Sequence, residues 1–478
     1  MAFDPQSQSR LAQVPVEVLL RITYHLHTRD LENIRLSCKV LETNLFNFFA
    51  KEFFRKKQFF VSSASLQALI DISKHPTLSP FLQHVIISTD RIHGNYGYSQ
   101  GRDLGQERAL AVAMADHKTL MTTGVLRDML VEAFGNLVNL ETIDIRDFDS
   151  RSRNRDGLYT PWRSYGVLTL ERGIPGISIN PHPTSGYDSY ASDVFGATNA
   201  ALALSGARPA NIEVILRNAQ WGLGNSALLI PSRLRPSLEP MLASLKKLHL
   251  DIDYQGEVFM IQQFLTLSNN ISWLRINAKS FSNSDHAFGR SRSLFGWLGL
   301  PTTQPPPNSY DMKAVDFPHL EQLDVGSCVI DLDTLFSCVA KFAPTLRVLN
   351  FRKVNLMDKK DNPDKINPWK TLLRKMQRLP NLHLRTLRLA QIKHVTGHTN
   401  NIYTPWRITF TDAGNQRPGG RPLEDITGST SIDTIANMIE KLIGRMEADW
   451  PAPPPEDDDD DEDEEEEEDE DEDMADDD

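Results

Sequence analysis

The chain is poor in cysteine. Its three residues of this type among 478, Cys38, Cys328 and Cys338, form no C-x-x-C pair. That argues against a disulfide scaffold and for a reducing cytoplasmic or nuclear compartment. Long apolar runs are missing too: no stretch approaches the about 18 residues that span a bilayer. The opening residues, MAFDPQSQSR, hold no apolar segment of a secretory signal. The short motifs that carry enzyme chemistry are likewise missing. There is no GxxxxGK loop followed by Ser or Thr, no GxGxxG after a strand, no GxSxG and no HExxH. His394 and His398 stand at H-x3-H without a second ligand pair, so no zinc site is expected there. His249, Asp251 and Asp253 alternate and would share one strand face; three polar groups there could hold a cation, but the wet face of a half-exposed strand is the expected reading. With no two carboxylates paired for acid–base work, the chain is read as non-catalytic, without cofactor or metal.

Charge is present but unevenly placed. The net charge is −13, yet 21 of the 23 residues from 456 to 478 are Asp or Glu. Outside that tail 51 basic residues face 43 acidic ones, so a body of +8 carries a strongly acidic end. Residues 451–478 have little apolar surface to bury and are expected to be disordered, as are the polar residues 1–10.

Residues 11–60 read as a small helical unit. Pro15 opens a first helix with Val18, Leu19, Ile22 and Leu26 on one face. Asp30 is a candidate cap for a second helix holding Leu31, Ile34 and Leu36 and ending near Lys39, with Cys38 as a small buried residue. A third helix is expected over 41–60. Its phenylalanines, among them Phe46, Phe48, Phe49, Phe53 and Phe54, point several ways, so its outer side needs a cover from residues 61 onward or from a partner.

From residue 61 to 425 one spacing returns, Leu-x-x-Leu-x-Leu. Its seven copies begin at Leu82, Leu140, Leu245, Ile271, Leu320, Leu346 and Leu384. Two of the intervals between copies are 26 residues, inside the range of leucine-rich repeats, where one unit cannot bury its own face and copies must stack. Apolar helical stretches at 126–137, 259–267, 332–342 and 369–379 each precede a copy. The expected fold is therefore α/β, with parallel strands joined by helical crossovers in an irregular solenoid. Four polar insertions, 94–106, 149–164, 175–192 and 281–310, are read as long loops, the second made basic by Arg146, Arg151, Arg153, Arg155 and Arg163. Tyr-Thr-Pro-Trp-Arg occurs at 159–163 and again at 403–407, and both tryptophans are expected to pin a loop to the sheet. Residues 426–450 are expected to form one capping helix, with Thr430 and Asp433 as a capping box.

In residues 14–54 the order Val14-Pro15, Glu17-Val18-Leu19, Ile22 with Leu26, Asp30-Leu31, Arg35 and Ser37-Cys38-Lys39 resembles the F-box. Val14 stands where the family usually has Leu, and Ser37 where it has an apolar residue. With the repeats behind it, the chain is similar to filamentous-fungal F-box proteins with degenerate leucine-rich repeats. The resemblance implies docking on the Skp-type adaptor of a cullin ubiquitin ligase through Val14, Pro15, Val18, Leu19, Ile22, Leu31, Leu36, Cys38 and Lys39. An unknown protein substrate would sit on the repeats, and ubiquitin transfer would occur on other subunits. A competing reading, from the tail alone, is a non-catalytic chaperone or scaffold binding histones or other basic proteins. The plainer reading of the tail is a solubilising segment, or one folded back over the basic body. Binding of nucleic acid by the body is not expected, since the excess charge is small and no recognition fold is apparent.

Overall fold

The computed structural model describes residues 10–93, 103–150, 154–157, 160, 162–180, 190–217, 222–253, 258–279, 285–303, 312–357, 364–395, 405–411, 422–430 and 434–450. Three helices come first: α1 (Val16–Tyr24), α2 (Thr28–Ser37) and α3 (Lys39–Phe54). Leu19, Leu31, Leu41, Leu45, Phe49 and Phe53 close on one another in a small separate core. The third helix stops at Phe54, short of the expected Phe60. Phe59 and Phe60 are both fully buried but in different cores, which puts them on opposite sides of the chain. That is the period of a strand and not of a helix. The outer rings of α3 are covered by later residues of the same chain: Phe46 meets Phe81 edge-on at 6.4 Å, and Phe53 meets Trp162 at 5.7 Å.

The strands are β1 (Lys56–Phe59), β2 (His84–Ser88), β3 (Arg91–His93), β4 (Thr142–Arg146), β5 (Ser178–Asn180), β6 (Asn211–Ile215), β7 (Lys247–Asp253), β8 (Trp273–Lys279), β9 (Gln322–Asp331), β10 (Val348–Met357), β11 (Thr386–Ala390), β12 (Lys393–Val395), β13 (Pro405–Phe410), β14 (Asp425–Ser429) and β15 (Met446–Ala448). All but β3 and β5 belong to one thirteen-stranded sheet, ordered β1-β2-β4-β6-β7-β8-β9-β10-β12-β13-β15, with β11 and β14 stacked beside β10. From β1 to β12 the pairing is parallel.

In all seven copies of the recurring spacing the second and third apolar residues lie on a strand of this sheet and the first stands two residues before it, and the middle residues stand in register. Val85 faces Ile143, Leu248 faces Leu274, Leu274 faces Leu323, Leu323 faces Leu349 and Leu349 faces Leu387. The long gap between the second and third copies is filled by β6, which the spacing missed: Ile143 faces Ile212, which faces Leu248. Between most neighbouring parallel strands the chain crosses through helices, such as Ser63–Lys74, Val125–Asn136, Phe259–Leu267, Leu332–Phe342 and Pro368–Gln377. The apolar strand residues and these helices share one continuous core.

The insertions are less loop-like than expected. Helices Leu104–Thr123, Tyr190–Ser205 and Asp285–Gly299 start inside three of them. Burial of Leu294, Phe295, Trp297 and Leu298 shows why the last one folds. The remaining parts, 94–102, 151–153, 158–159, 161, 181–189, 280–284 and 304–311, lie outside the described residues, as do 1–9 and 451–478, which were expected to be disordered.

Three neighbouring strand paths bend at one level. Gly326, Arg352 and Ala390 are aligned, and the next residue in each, Ser327, Lys353 and Gln391, is left-handed, with φ of 53°, 54° and 51°. Each such residue costs about 1–2 kcal/mol. Because the three bends coincide, the pairing resumes beyond them, Cys328 beside Val354 and Asn355 beside Lys393. The end of the chain is not one capping helix. β14 runs antiparallel to β11, the helix Ile435–Gly444 follows, and β15 returns antiparallel to β13. Thr434 caps that helix by accepting from the Asn437 N–H at 3.3 Å. Thr430 instead donates its hydroxyl to the Leu384 carbonyl at 3.1 Å, and Asp433 lies outside the described residues. No helix among the described residues is long and apolar enough to cross a membrane.

Candidate functional site

Two surfaces stand out, the outer face of the first helices and the polar face of the sheet. On the first, Pro15, Val18, Ile22, Leu36, Cys38 and Lys39 are exposed and Val14 is half-buried. Leu19 and Leu31 are wholly buried in the core of the helical unit and present nothing outward, because helical spacing places them on the inner stripe. Cys38, expected inside the second helix, is exposed in the extended break between α2 and α3. Among the described residues, six of the seventeen large apolar side chains that are exposed fall between residues 16 and 40: Val16, Val18, Ile22, Tyr24, Leu36 and Val40. These side chains are concentrated on a short stretch and not scattered over the surface.

That unit is held to the body by two adjacent residues the sequence did not single out. Arg155, expected as part of a basic loop, is nearly buried. It donates through Nε and one terminal nitrogen to both oxygens of Glu52 on α3, each at 2.7 Å. Its other terminal nitrogen donates to the carbonyls of Thr23 and Leu26, at 3.0 and 2.9 Å, where α1 ends. Next to it, Asp156 accepts from the Thr28 N–H at 2.8 Å and the Thr28 hydroxyl at 2.5 Å, where α2 begins. Asp156 thus supplies the N-terminal cap that Asp30, in the first turn, does not. A cation at one helix end and an anion at the start of the next both match the helix dipoles. Trp162 adds to this clasp by packing on Phe53, and so pins its loop to the helices and not to the sheet. Trp406 is part of β13, opposite His394. Residues 159, 161, 403 and 404 of the repeated pentapeptide lie outside the described residues.

On the polar face, the residue between the second and third apolar positions of each strand forms a row. Across β4 to β11 it reads Asp144, Glu213, His249, Arg275, Asp324, Asn350 and Arg388. Most charged members have an opposite charge beside them, in the row or on a neighbouring residue. Asp144 is paired to Arg146 and lies 3.2 Å from His84. Burial works against its charge, but those two hydrogen bonds outweigh it and hold the carboxyl below its usual range. Glu213 pairs with Lys247 at 2.8 Å. Asp324 is the hub: it accepts from Trp273 Nε1 at 3.0 Å, Gln322 at 3.0 Å and Asn350 at 2.6 Å, with Arg275 Nε at 3.7 Å.

His249, Asp251 and Asp253 do share one face, but that face is buried and not wet. Asp251 accepts from Asn277 at 2.5 Å and the Leu216 N–H at 2.7 Å. The Asn277 side chain lies across β9 where Gly326 leaves room; a Cβ there would stand 2.2 Å from its Oδ1. No group of three His, Cys, Asp or Glu among the described residues could hold a metal ion. The His394 ring is buried and lies 2.8 Å from the Asp449 carbonyl, while His398 lies outside the described residues. Cys328 and Cys338 are buried thiols pushed up to about 12 by burial, so neither is a ready nucleophile.

His249 has no hydrogen bond to either ring nitrogen among the described residues; Glu213 is nearest, 3.8 Å from Nδ1. Burial, with Lys247 and Arg275 alongside, pushes its pKa down to about 2. The unfolded chain therefore takes up a proton near pH 6.5 that the folded chain refuses, and stability falls as pH drops below that value. For this residue the slope is about 1.4 kcal/mol per pH unit. His84 and His117, also lowered by burial, act in the same direction. Asp251 and Asp90, raised by burial, act oppositely, but nearer the carboxylate range. Urea unfolding at pH 7, 6 and 5 should show the loss, and His249→Gln should flatten it. Equal stability across that range would show that the histidine is not held neutral.

No family model matches this chain, and no curated protein matches it.

Proposed function

We propose that the chain is an F-box substrate-recognition subunit of a Skp–cullin–F-box type ubiquitin ligase. In this reading residues 14–54 dock on the Skp-type adaptor. The parallel sheet and its helices act as an irregular leucine-rich-repeat solenoid that holds a protein substrate. The observation that carries the proposal is the outer face of α1 and α2. Val18, Ile22, Leu36, Cys38 and Lys39 are exposed at positions the resemblance assigns to adaptor contact, while Leu19 and Leu31 build the core that shapes that face. An apolar helical surface of this kind suits burial in a partner's helical groove. The self-neutralised polar face is in keeping with a body that presents ligands without reacting with them.

The test is capture of a purified Skp-type adaptor by the full chain. Wild type should bind. Val18→Asp with Ile22→Asp should weaken binding by at least about 30-fold, since each change puts a charge into a buried apolar contact. Both sites are exposed in the free chain, so the melting temperature should not move. Leu19→Asp is not a usable probe, because it would disrupt the helical core directly. If wild type fails to bind, or the double variant binds equally well, the proposal is wrong.

A further inference from the structure

The basic excess of the body is not spread along it. Residues 1–340 hold 32 basic and 33 acidic side chains, and residues 341–450 hold 19 basic and 10 acidic. The whole positive balance therefore lies in residues 341–450, next to the acidic tail in sequence. Part of it is concentrated on one side of the sheet. Arg352 and Lys353 on β10, Lys393 on β12 and Arg407 on β13 point away from the apolar core, and all but the half-buried Lys393 are exposed. Lys393 and Arg407 are directly opposite each other across the strands. Like charges so placed repel unless an anion lies over them. None of these four side chains has an ion pair or hydrogen bond among the described residues, whereas Arg388 on β11 has Asp425 at 3.2 Å.

The chain also leaves the sheet at this place. The Asp449 N–H donates to the Arg407 carbonyl at 3.0 Å, and the next residue, Trp450, packs against the His394 ring at 4.5 Å. Five residues, Pro451 to Pro455, separate that point from Glu456. They reach about 17 Å, while the four neighbouring strands from β15 to β10 span about 14 Å. The first carboxylates of the tail are therefore tethered within reach of Lys393 and Arg407, and the following ones are long enough in chain to reach Arg352 and Lys353.

We propose that this basic surface on β10, β12 and β13 is the docking site of the chain's own acidic tail, residues 456–478. Docking supplies counter-charge to Arg352, Lys353, Lys393 and Arg407, and keeps this end of the polar face from other polyanions until they displace the tail. The inference stands whether or not the ligase reading is right.

Carbodiimide coupling, which joins a carboxylate to a lysine amine as an amide, tests it on the full chain. At low salt, tail carboxylates should couple to Lys353 and Lys393 about fivefold more than to the exposed Lys51 and Lys118, and about 0.5 M NaCl should abolish the preference. Arg352→Glu with Arg407→Glu leaves both lysines in place and should remove the preference. A second measurement leaves the body untouched: with every tail Asp and Glu changed to Asn and Gln, Arg407 should react about threefold faster with an arginine-specific glyoxal. Even coupling over all exposed lysines, or an unchanged Arg407 rate, would overturn the proposal. So would coupling chiefly between isotopically heavy and light chains, which would make a second copy the occupant.

Discussion

Arg155→Ala should destabilise the chain by about 3–5 kcal/mol, the range for removing one partner of a buried ion pair. The loss is large because one guanidinium serves three places. It neutralises Glu52 with two 2.7 Å bonds and satisfies the carbonyls of Thr23 and Leu26. Its removal leaves a carboxylate largely enclosed and the end of α1 without its donor, both expensive in a site that water reaches poorly. Arg155→Lys should recover little, because an ammonium cannot offer two parallel bonds to a carboxylate and also reach two carbonyls. The change should be local as well as global. Urea unfolding would show the lower stability, and limited proteolysis would show early cleavage near His25 to Thr28, where Asp156 would no longer be positioned. Unchanged stability and cleavage in Arg155→Ala would mean that the clasp is not what holds the helices to the sheet.

The second large effect is expected at Asp324. Four groups converge on this carboxylate, from Trp273, Gln322, Asn350 and Arg275. Alanine there strands the indole N–H, two amides and a half-buried guanidinium, at an expected cost of about 3 kcal/mol. Asparagine should cost less, since one oxygen still accepts, but its amide hydrogens then face donors. The order wild type, Asn, Ala in urea midpoint is the prediction. A shifted Trp273 emission in the alanine variant would report the lost indole partner. If alanine matches wild type, the row is held by its neighbours' packing and not by this hub.

These two residues illustrate what the sequence could and could not disclose. Seven of the strands were legible because three inward residues are apolar at fixed spacing, and burial enforces that pattern one strand at a time. β6 escaped because Pro209, itself buried, occupies the place of the first leucine. The polar row was legible in principle: its members are the residues between the second and third apolar positions, although their pairing depends on strand order. The end of α3 was misjudged because four residues of strand are too few to break a helical rhythm rich in phenylalanine. The contacts of Arg155 and Asp156 could not be found at all, because their partners lie 103 to 132 residues away and leave no local trace. The exposed face of α1 was found as a stripe of apolar residues, but only the three-dimensional core separates Leu19 and Leu31, which fill it, from Val18 and Ile22, which do not.

The strand order has a consequence for how the chain folds. Along the parallel part of the sheet, each strand pairs with the strand of that sheet that follows it in the sequence, so assembly can nucleate at one pair and spread to its neighbours. The first helices depend on the opposite kind of contact. Their clasp cannot close until β4 has brought residues 154–156 back beside them. A nascent chain would therefore expose α1 and α2 for as long as about 130 further residues take to emerge, roughly 7 to 26 seconds of synthesis. During that time the outer apolar face is already available while the inner one is still unfastened.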